Sequence, residues 1–205
     1  GHLRGELCVA ASQTVVNEWL PPRVVAFHAR YPDVKVKVLP CNTEQAAREV
    51  LDGSADLAVV EGAVDPGPFI LRKVPGDRLV LVLPQDHELV GRTAVGATML
   101  RETMWVMRER GSGTRRLIES ALANWGVEAS DLKVVIEMPS NESVLAAVEA
   151  GAGISAVSEL AAQRSGLPMV DLDLPRRRYT VLRHSERTPN RAQQALIDLL
   201  LAEPD

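Results

Sequence analysis

Gly111-Ser112-Gly113-Thr114-Arg115 is the stretch of this chain whose residue types best suit holding a small anion. Its two glycines let the backbone approach a ligand closely. Leu117, Ile118, Ala121, Leu122 and Trp125 follow at helical spacing up to Gly126, so the loop opens directly onto a helix. The free N–H groups and the dipole of a helix start favour negative charge. Ser112 and Thr114 add hydroxyls, and Arg115 adds a planar fork of donors. The same residues have a plainer use, with Thr114 capping the helix while the glycines only turn the chain.

Three further clusters share this form, polar side chains placed directly after an apolar run. Ser12 and Thr14 follow Leu7–Ala11, Asn42 and Thr43 follow Val34–Leu39, and Ser140 and Asn141 follow Val134–Met138. Capping competes with ligand contact at each. Asn42 with Gln45 three residues on is a variant of the capping box. Glu142, beside the last cluster, would repel an anion unless it orients a cation or caps a backbone N–H.

Energetics require several clusters to act together. A cellular effector with Kd of about 10 μM binds with about −7 kcal/mol. A charge-assisted hydrogen bond contributes roughly 1.5–3 kcal/mol, and association itself costs several. About four to six good donors are needed, more than one loop supplies.

Those clusters must be positioned by strands and helices, and the pattern of apolar residues says which. Leu7–Ala11, Val34–Leu39 and Asp56–Val60 read as strands. Between them, Leu20, Val24, Phe27 and Tyr31 form a helical face that starts near Pro21-Pro22, and Ala46, Ala47, Val50 and Leu51 form another that stops at Gly53. Phe69–Val74 and Leu79–Leu83 are two more strands, and then the order repeats. Trp105–Met107, Val134–Ile136 and Gly153–Val157 read as strands, with a second helix over Val144, Leu145 and Val148. A last strand, Tyr179–Leu182, precedes a helix capped by Thr188 with Pro189 in its first turn, burying Ala192, Ala195, Leu196 and Leu199.

Strand–helix alternation is the grammar of a parallel sheet with covering helices, and its repetition predicts an α/β protein of two Rossmann-like lobes. The expected division is 1–82 plus 180–205 for lobe I and 83–179 for lobe II, with the chain crossing near Leu83 and near Tyr179. Two such crossovers make a hinge. Ligands of open α/β sheets bind beyond the carboxyl ends of the strands, where all four polar clusters lie, so the cleft between the lobes is the expected site.

Composition narrows the function. Hydrophobic residues make up 46% and charged residues 24%, as in ordinary globular chains, which argues against disorder. A net charge of −4 does not suit a DNA-binding surface. No apolar run is long enough to span a membrane and no secretory signal is visible, which points to the cytoplasm. Cys8 and Cys41, on neighbouring parallel strands, would sit roughly 10 Å or more apart, too far for a disulfide, as two reduced and buried thiols. His2, His28, His87 and His184 share no metal-ligand spacing. No Gly-x-Ser-x-Gly elbow or phosphate-loop motif is present, so no catalytic residue, metal or cofactor is expected. Arg176-Arg177-Arg178 reads as a solvated strand edge.

An ordered series of short stretches carries a family resemblance. Gly5-Glu6-Leu7, Ala11-Ser12-Gln13-Thr14, Leu20-Pro21, Tyr31-Pro32-Asp33-Val34, Asn42-Thr43, Asp56-Leu57-Ala58 and Asp86-His87-Glu88-Leu89 come first. Arg108–Arg115 and Val148–Ile154 continue it. The series resembles the C-terminal effector-binding, substrate-binding-like domain of LysR-type transcriptional regulators over almost the whole chain. Asn42-Thr43, Arg110–Arg115 and Met138–Glu142 resemble most the branch with regulators of carbon fixation and sulfur metabolism.

The resemblance implies a periplasmic-binding-protein-like fold that binds a small, anionic metabolite and alters the geometry of a DNA-bound homodimer or tetramer. It implies DNA contact only through an N-terminal winged helix-turn-helix, which is absent from these 205 residues. Ser12, Thr14, Asn42, Thr43, Ser112, Gly113, Thr114, Arg115, Ser140 and Asn141 are the expected ligand residues. A solute-binding protein of a transporter shares the two-lobed plan and is the alternative. An enzyme would need a convergent nucleophile or base, and none is evident.

Overall fold

The computed structural model describes residues 3–202. In chain order the elements are β1 (Gly5–Ser12), α1 (Leu20–Arg30), β2 (Val34–Cys41), α2 (Thr43–Asp52), β3 (Leu57–Val60), β4 (Phe69–Pro75) and β5 (Leu79–Val82). There follow α3 (Ala97–Glu102), β6 (Met104–Arg108), α4 (Gly113–Ala123), β7 (Lys133–Met138), α5 (Asn141–Glu149), β8 (Ser155–Ser158) and α6 (Glu159–Ser165). The chain closes with β9 (Met169–Val170), β10 (Arg178–His184) and α7 (Arg191–Leu201).

These elements form two compact units, Gly1–Gly76 with Arg178–Asp205, and Asp77–Arg177. The first unit's sheet has the order β2-β1-β3-β10-β4. β1 runs parallel to β2 and β3, while β10 is antiparallel to β3 and β4. In the second unit β6 pairs parallel with β7, and β5 pairs antiparallel with β8 and β9. A parallel bridge from Trp105 to Ile154 sets β6 beside the start of β8. The second unit therefore runs β7-β6-β8-β5-β9, the same plan as the first.

That plan corrects the expected boundaries. They fall at 76/77 and 177/178, not at 82/83 and 179/180. β5 does not end the first unit. It fills in the second the place that β10 fills in the first, between a parallel strand and an antiparallel edge. All four residues of β5 are buried, which is why Leu-Val-Leu-Val runs apolar without alternation.

Strand alternation divides each core between two faces. In the first unit Leu7, Val9, Leu57 and Val59 pack with Leu20 and Phe27 of α1 and Leu196 and Leu200 of α7. Ala10, Ala58, Val60 and Leu182 face Ala46 and Val50 of α2. In the second unit Leu81, Trp105 and Met107 meet Ile118 and Leu122 of α4 on one side. Val80, Val82, Val106 and Val157 meet Val144 and Val148 of α5 on the other.

Several local expectations need correction. The first regular helix does start beside Pro21-Pro22, at Leu20, but the sequence reading did not include the turn before it. A π-helical turn, Val15–Trp19, precedes α1 and joins it where the two prolines lack N–H groups. Leu51 and Trp125 are exposed, and Val127 takes the buried place expected of Trp125. Asn190, not Thr188, caps α7, in a capping box with Gln193. The short α3, α6 and β9 had no counterpart in the sequence reading. Cys8 and Cys41 are free and only half-buried. Cys41 is paired in register with Ser12 and Cys8 with Lys37, so the thiols lie four register steps apart, about 13 Å.

Candidate functional site

The carboxyl ends of β1, β2 and β3 gather one half of the expected residues in the first unit. Ser12 ends β1, is buried, and stands opposite Cys41 at the end of β2. It does not cap the following helical turn. Its hydroxyl donates to the carboxylate of Glu61 and accepts the Glu61 N–H at 3.1 Å. Glu61 follows directly on β3 and is only 3% exposed. Thr14 is fully buried at the start of the π turn, without a side-chain capping bond.

Asn42 is committed to α2. Its Oδ1 accepts the Gln45 N–H at 2.8 Å, and its own N–H donates to Gln45 Oε1 at 2.9 Å. Thr43, the first residue of α2, is different. It is buried, and its Oγ1 has no hydrogen-bond partner among the described residues. A buried hydroxyl without a partner costs about 1–3 kcal/mol. Cys41 is close enough to Glu61 for its carboxylate charge to be felt. Burial, chiefly, pushes the Cys41 thiol up to about 11, with the Ala11 backbone opposing and the charges of Glu49 and Glu61 adding to the rise.

In the second unit the corresponding residues follow β6 and β7. Ser112 caps α4, its Oγ accepting the Arg115 N–H at 3.4 Å. Gly111 before it has φ of 93°, in the region that favours glycine. Gly113 and Thr114 form the buried first turn of α4. Thr114 Oγ1 accepts from Arg177 Nη1 at 3.3 Å, so its hydroxyl is not the cap. Arg177 is buried and forms a two-pronged ion pair with Asp77, whose carboxylate also accepts the Ser158 hydroxyl. Arg177 is therefore no solvated edge: it and Asp77 bound the second unit and tie its two ends together.

Arg115 is engaged by three protein acceptors. Its Nε donates to Glu119 at 2.8 Å, and its Nη1 donates to Glu137 at 2.6 Å and to the Arg108 carbonyl at 2.8 Å. Ser140 caps α5 in a reciprocal pair with Ser143, both bonds at 3.1 Å. Asn141 is buried, and its Oδ1 accepts from Arg108 Nη1 at 2.6 Å. Glu142 is exposed in the first turn of α5. Arg108, 3% exposed, also grips Glu109 through Nε and Nη2 at 2.8 and 3.0 Å. The structure thus joins Thr114 to Arg177 and Asn141 to Arg108. It keeps Asn42, Ser112 and Ser140 as helix caps.

Glu61, Arg108, Asp77 and Arg177 were missed as site-forming groups. A signal existed for two of them. Glu61 and Arg108 each adjoin a fully apolar strand run, Leu57–Val60 and Trp105–Met107, where a charge must find a buried partner.

Strand-end polar groups in two units of one plan, each with its central antiparallel strand just after a unit boundary in the chain, make a specific architecture to compare. Residues 1–205 match the family described as LysR substrate binding domain. The chain belongs to this family. Among curated relatives, this LysR domain is 31% identical over 157 residues to the HTH-type transcriptional regulator CysL of Bacillus subtilis, covering 77% of the chain and 52% of that protein. It is 30% identical over 197 residues to the RuBisCO operon transcriptional regulator of Allochromatium vinosum, covering 96% of the chain and 61% of that protein.

Of solved structures, the regulatory domain of Synechocystis PCC6803 CcmR in complex with 2-PG superposes with a TM-score of 0.86 at 27% identity, covering 97% of this chain and 96% of that one. The LysR domain thus has the periplasmic-binding-protein-like two-lobed fold and is an effector-binding domain of LysR regulators, which disfavours the alternative of a transporter's solute-binding protein. It spans about half to three-fifths of the length of these two curated relatives. Among the described residues, no helix is long and apolar enough to cross a membrane.

Proposed function

We propose that this domain binds a small anionic metabolite through the groups at its strand ends, and that binding governs a transcription regulator. That regulator touches DNA through an N-terminal winged helix-turn-helix outside these residues, works in the cytoplasm as a homodimer or tetramer, and performs no catalysis. The observation that carries the ligand site is Thr43 Oγ1, a buried hydroxyl with no partner among the described residues. It stands at the start of α2, on the same strand ends as Ser12 and Thr14. A ligand oxygen there would remove the cost of the unmade hydrogen bond.

Support for negative charge comes from helix starts. α2, α4 and α5 each begin just beyond a strand end, at Thr43, Gly113 and Asn141, and helix N-termini favour anions. Glu61 opposes a second anionic group next to Ser12. The effector therefore presents a hydroxyl or other donor toward Glu61 and its negative group toward a helix start. Ser12, Thr14, Asn42 and Thr43 in the first unit, and Ser112, Gly113, Thr114, Arg115, Ser140 and Asn141 in the second, are the proposed contact set. Ser12, Thr14, Thr43, Thr114 and Asn141 are its buried members whose side chains cap no helix.

The test is calorimetric screening of small carboxylates and phosphate esters, with and without a hydroxyl, against wild type and the Ser12→Ala and Ser112→Ala variants. Hydroxylated anions are expected to bind best, with each variant losing roughly tenfold in affinity. If the tightest binder holds equally to both variants, the site is misassigned.

A further inference from the structure

Ser112, Arg115, Arg116 and Glu119 recur at the spacing of one helical face around the start of α4. With Arg110 and Ser130 they line a cavity of about 470 Å³ that lies wholly within the second unit. That volume is in the range of small-ligand sites, about 300–1,000 Å³. Neither Thr114 nor Asn141 lines it, so it is separate from the Thr114–Arg177 and Arg108–Asn141 contacts.

The cavity's charges are unevenly matched. Three guanidinium groups face one carboxylate, and that carboxylate, Glu119, is already bonded to Arg115. Glu137, just outside the lining, also pairs with Arg115. Arg110 and Arg116 are exposed and make no ion pair or side-chain hydrogen bond with any described residue. A third feature is buried. Ser112 is 2% exposed, and its Oγ accepts one N–H, but its own O–H meets no acceptor among the described residues. Two uncommitted guanidinium forks and one uncommitted buried hydroxyl donor therefore share a single cavity beside a helix start.

We propose that this cavity is a second site, for a tetrahedral oxyanion: phosphate or sulfate, free or as the charged end of a small ester. Two guanidinium groups match a doubly charged group with three or four acceptor oxygens better than a carboxylate, which offers one charge and two oxygens. The cavity shares Ser112 and Arg115 with the proposed effector contacts, but Arg110 and Arg116 belong to it alone, so variants of these two arginines distinguish its failure from failure of the effector site.

Calorimetry or amide-shift titration of the intact domain at low ionic strength tests it, using inorganic phosphate, inorganic sulfate, glycerol phosphate and acetate. Low salt is needed because both arginines are exposed to screening. Phosphate and sulfate are expected to bind, acetate to bind roughly tenfold or more weakly, and Arg110→Gln and Arg116→Gln each to lose about tenfold for phosphate. Arg48→Gln, at an exposed arginine of the other unit outside both sites, is expected to leave phosphate affinity unchanged. Tighter binding of glycerol phosphate than of phosphate assigns the site to an ester, and the reverse order to the free ion. Phosphate binding that survives the Arg110→Gln/Arg116→Gln double variant, acetate binding as tight as phosphate, or no binding of either phosphate or sulfate overturns the proposal. Both arginines are exposed, so circular dichroism is expected to show the variants folded as wild type.

Discussion

At the residue scale, the polar groups of this domain separate by what they already bond. Asn42, Ser112 and Ser140 satisfy helix starts, and Arg115 is committed to Glu119 and Glu137. Thr43 satisfies nothing among the described residues. A nearly isosteric Thr43→Val substitution separates the two consequences. Removing a buried hydroxyl with no partner is expected to hold or raise the stability of the unliganded domain by up to about 1 kcal/mol, read from urea unfolding. The same change is expected to weaken the effector by roughly tenfold, read by calorimetry. A loss of stability without a loss of affinity would show that Thr43 has a structural partner instead. The polar residues themselves were legible in sequence because they stand directly after apolar runs. Their commitments were not, since Glu61 lies 49 positions from Ser12 and Arg177 lies 63 from Thr114.

At the scale of elements, the second sheet is held together at a close approach that only one residue type permits. Gly153 has φ of 150°, and a Cβ there would overlap the Met104 carbonyl, with its carbon at 2.8 Å. Directly beside it the Ile154 N–H donates to Met104 O at 2.9 Å, and Val106 N–H donates to Ile154 O at 2.8 Å. These bonds carry the bridge that joins β6 to the start of β8. Gly153→Ala meets backbone that cannot swing aside, and its own conformation is strained. It is expected to cost more than about 1 kcal/mol in urea unfolding, whereas Gly96, with φ of −94° and nothing within 4 Å of an added Cβ, is expected to tolerate alanine with little loss. Long elements with clear periodicity were readable from sequence. The six-residue α3, the seven-residue α6 and the two-residue β9 were not, because less than two turns or one strand pair gives no period to detect.

At the scale of the whole molecule, the second unit is continuous in sequence, from Asp77 to Arg177, and the first is not. The buried Asp77–Arg177 pair closes the ends of the continuous unit. Its central antiparallel strand, β5, comes from its first few residues. A fragment of residues 77–177 therefore contains its complete sheet and is expected to unfold cooperatively in urea with a helical and sheet circular dichroism spectrum. A fragment of 83–179, the division suggested by sequence, lacks β5 and leaves β8 and β9 without their shared partner. It is expected to aggregate or to melt without a cooperative transition. Equal cooperativity of the two fragments would place the boundary after β5.

The order of strands and helices, their repetition and the family were decided by the chain itself, because hydrophobic period and turn residues are local properties. The ordered motifs from Gly5 to Ile154 carry the family resemblance by themselves. The loop at Gly111–Arg115 was equally evident as a place of interest, but what each of its residues does was not. Tertiary structure spent Arg115 on two glutamates, gave Thr114 to Arg177, and left Ser112, Arg110 and Arg116 beside a cavity. It also moved β5 from the unit it follows to the unit it completes. Both decisions turn on partners far apart in sequence. A side chain's donors and a strand's edges carry no local sign of which distant group will satisfy them.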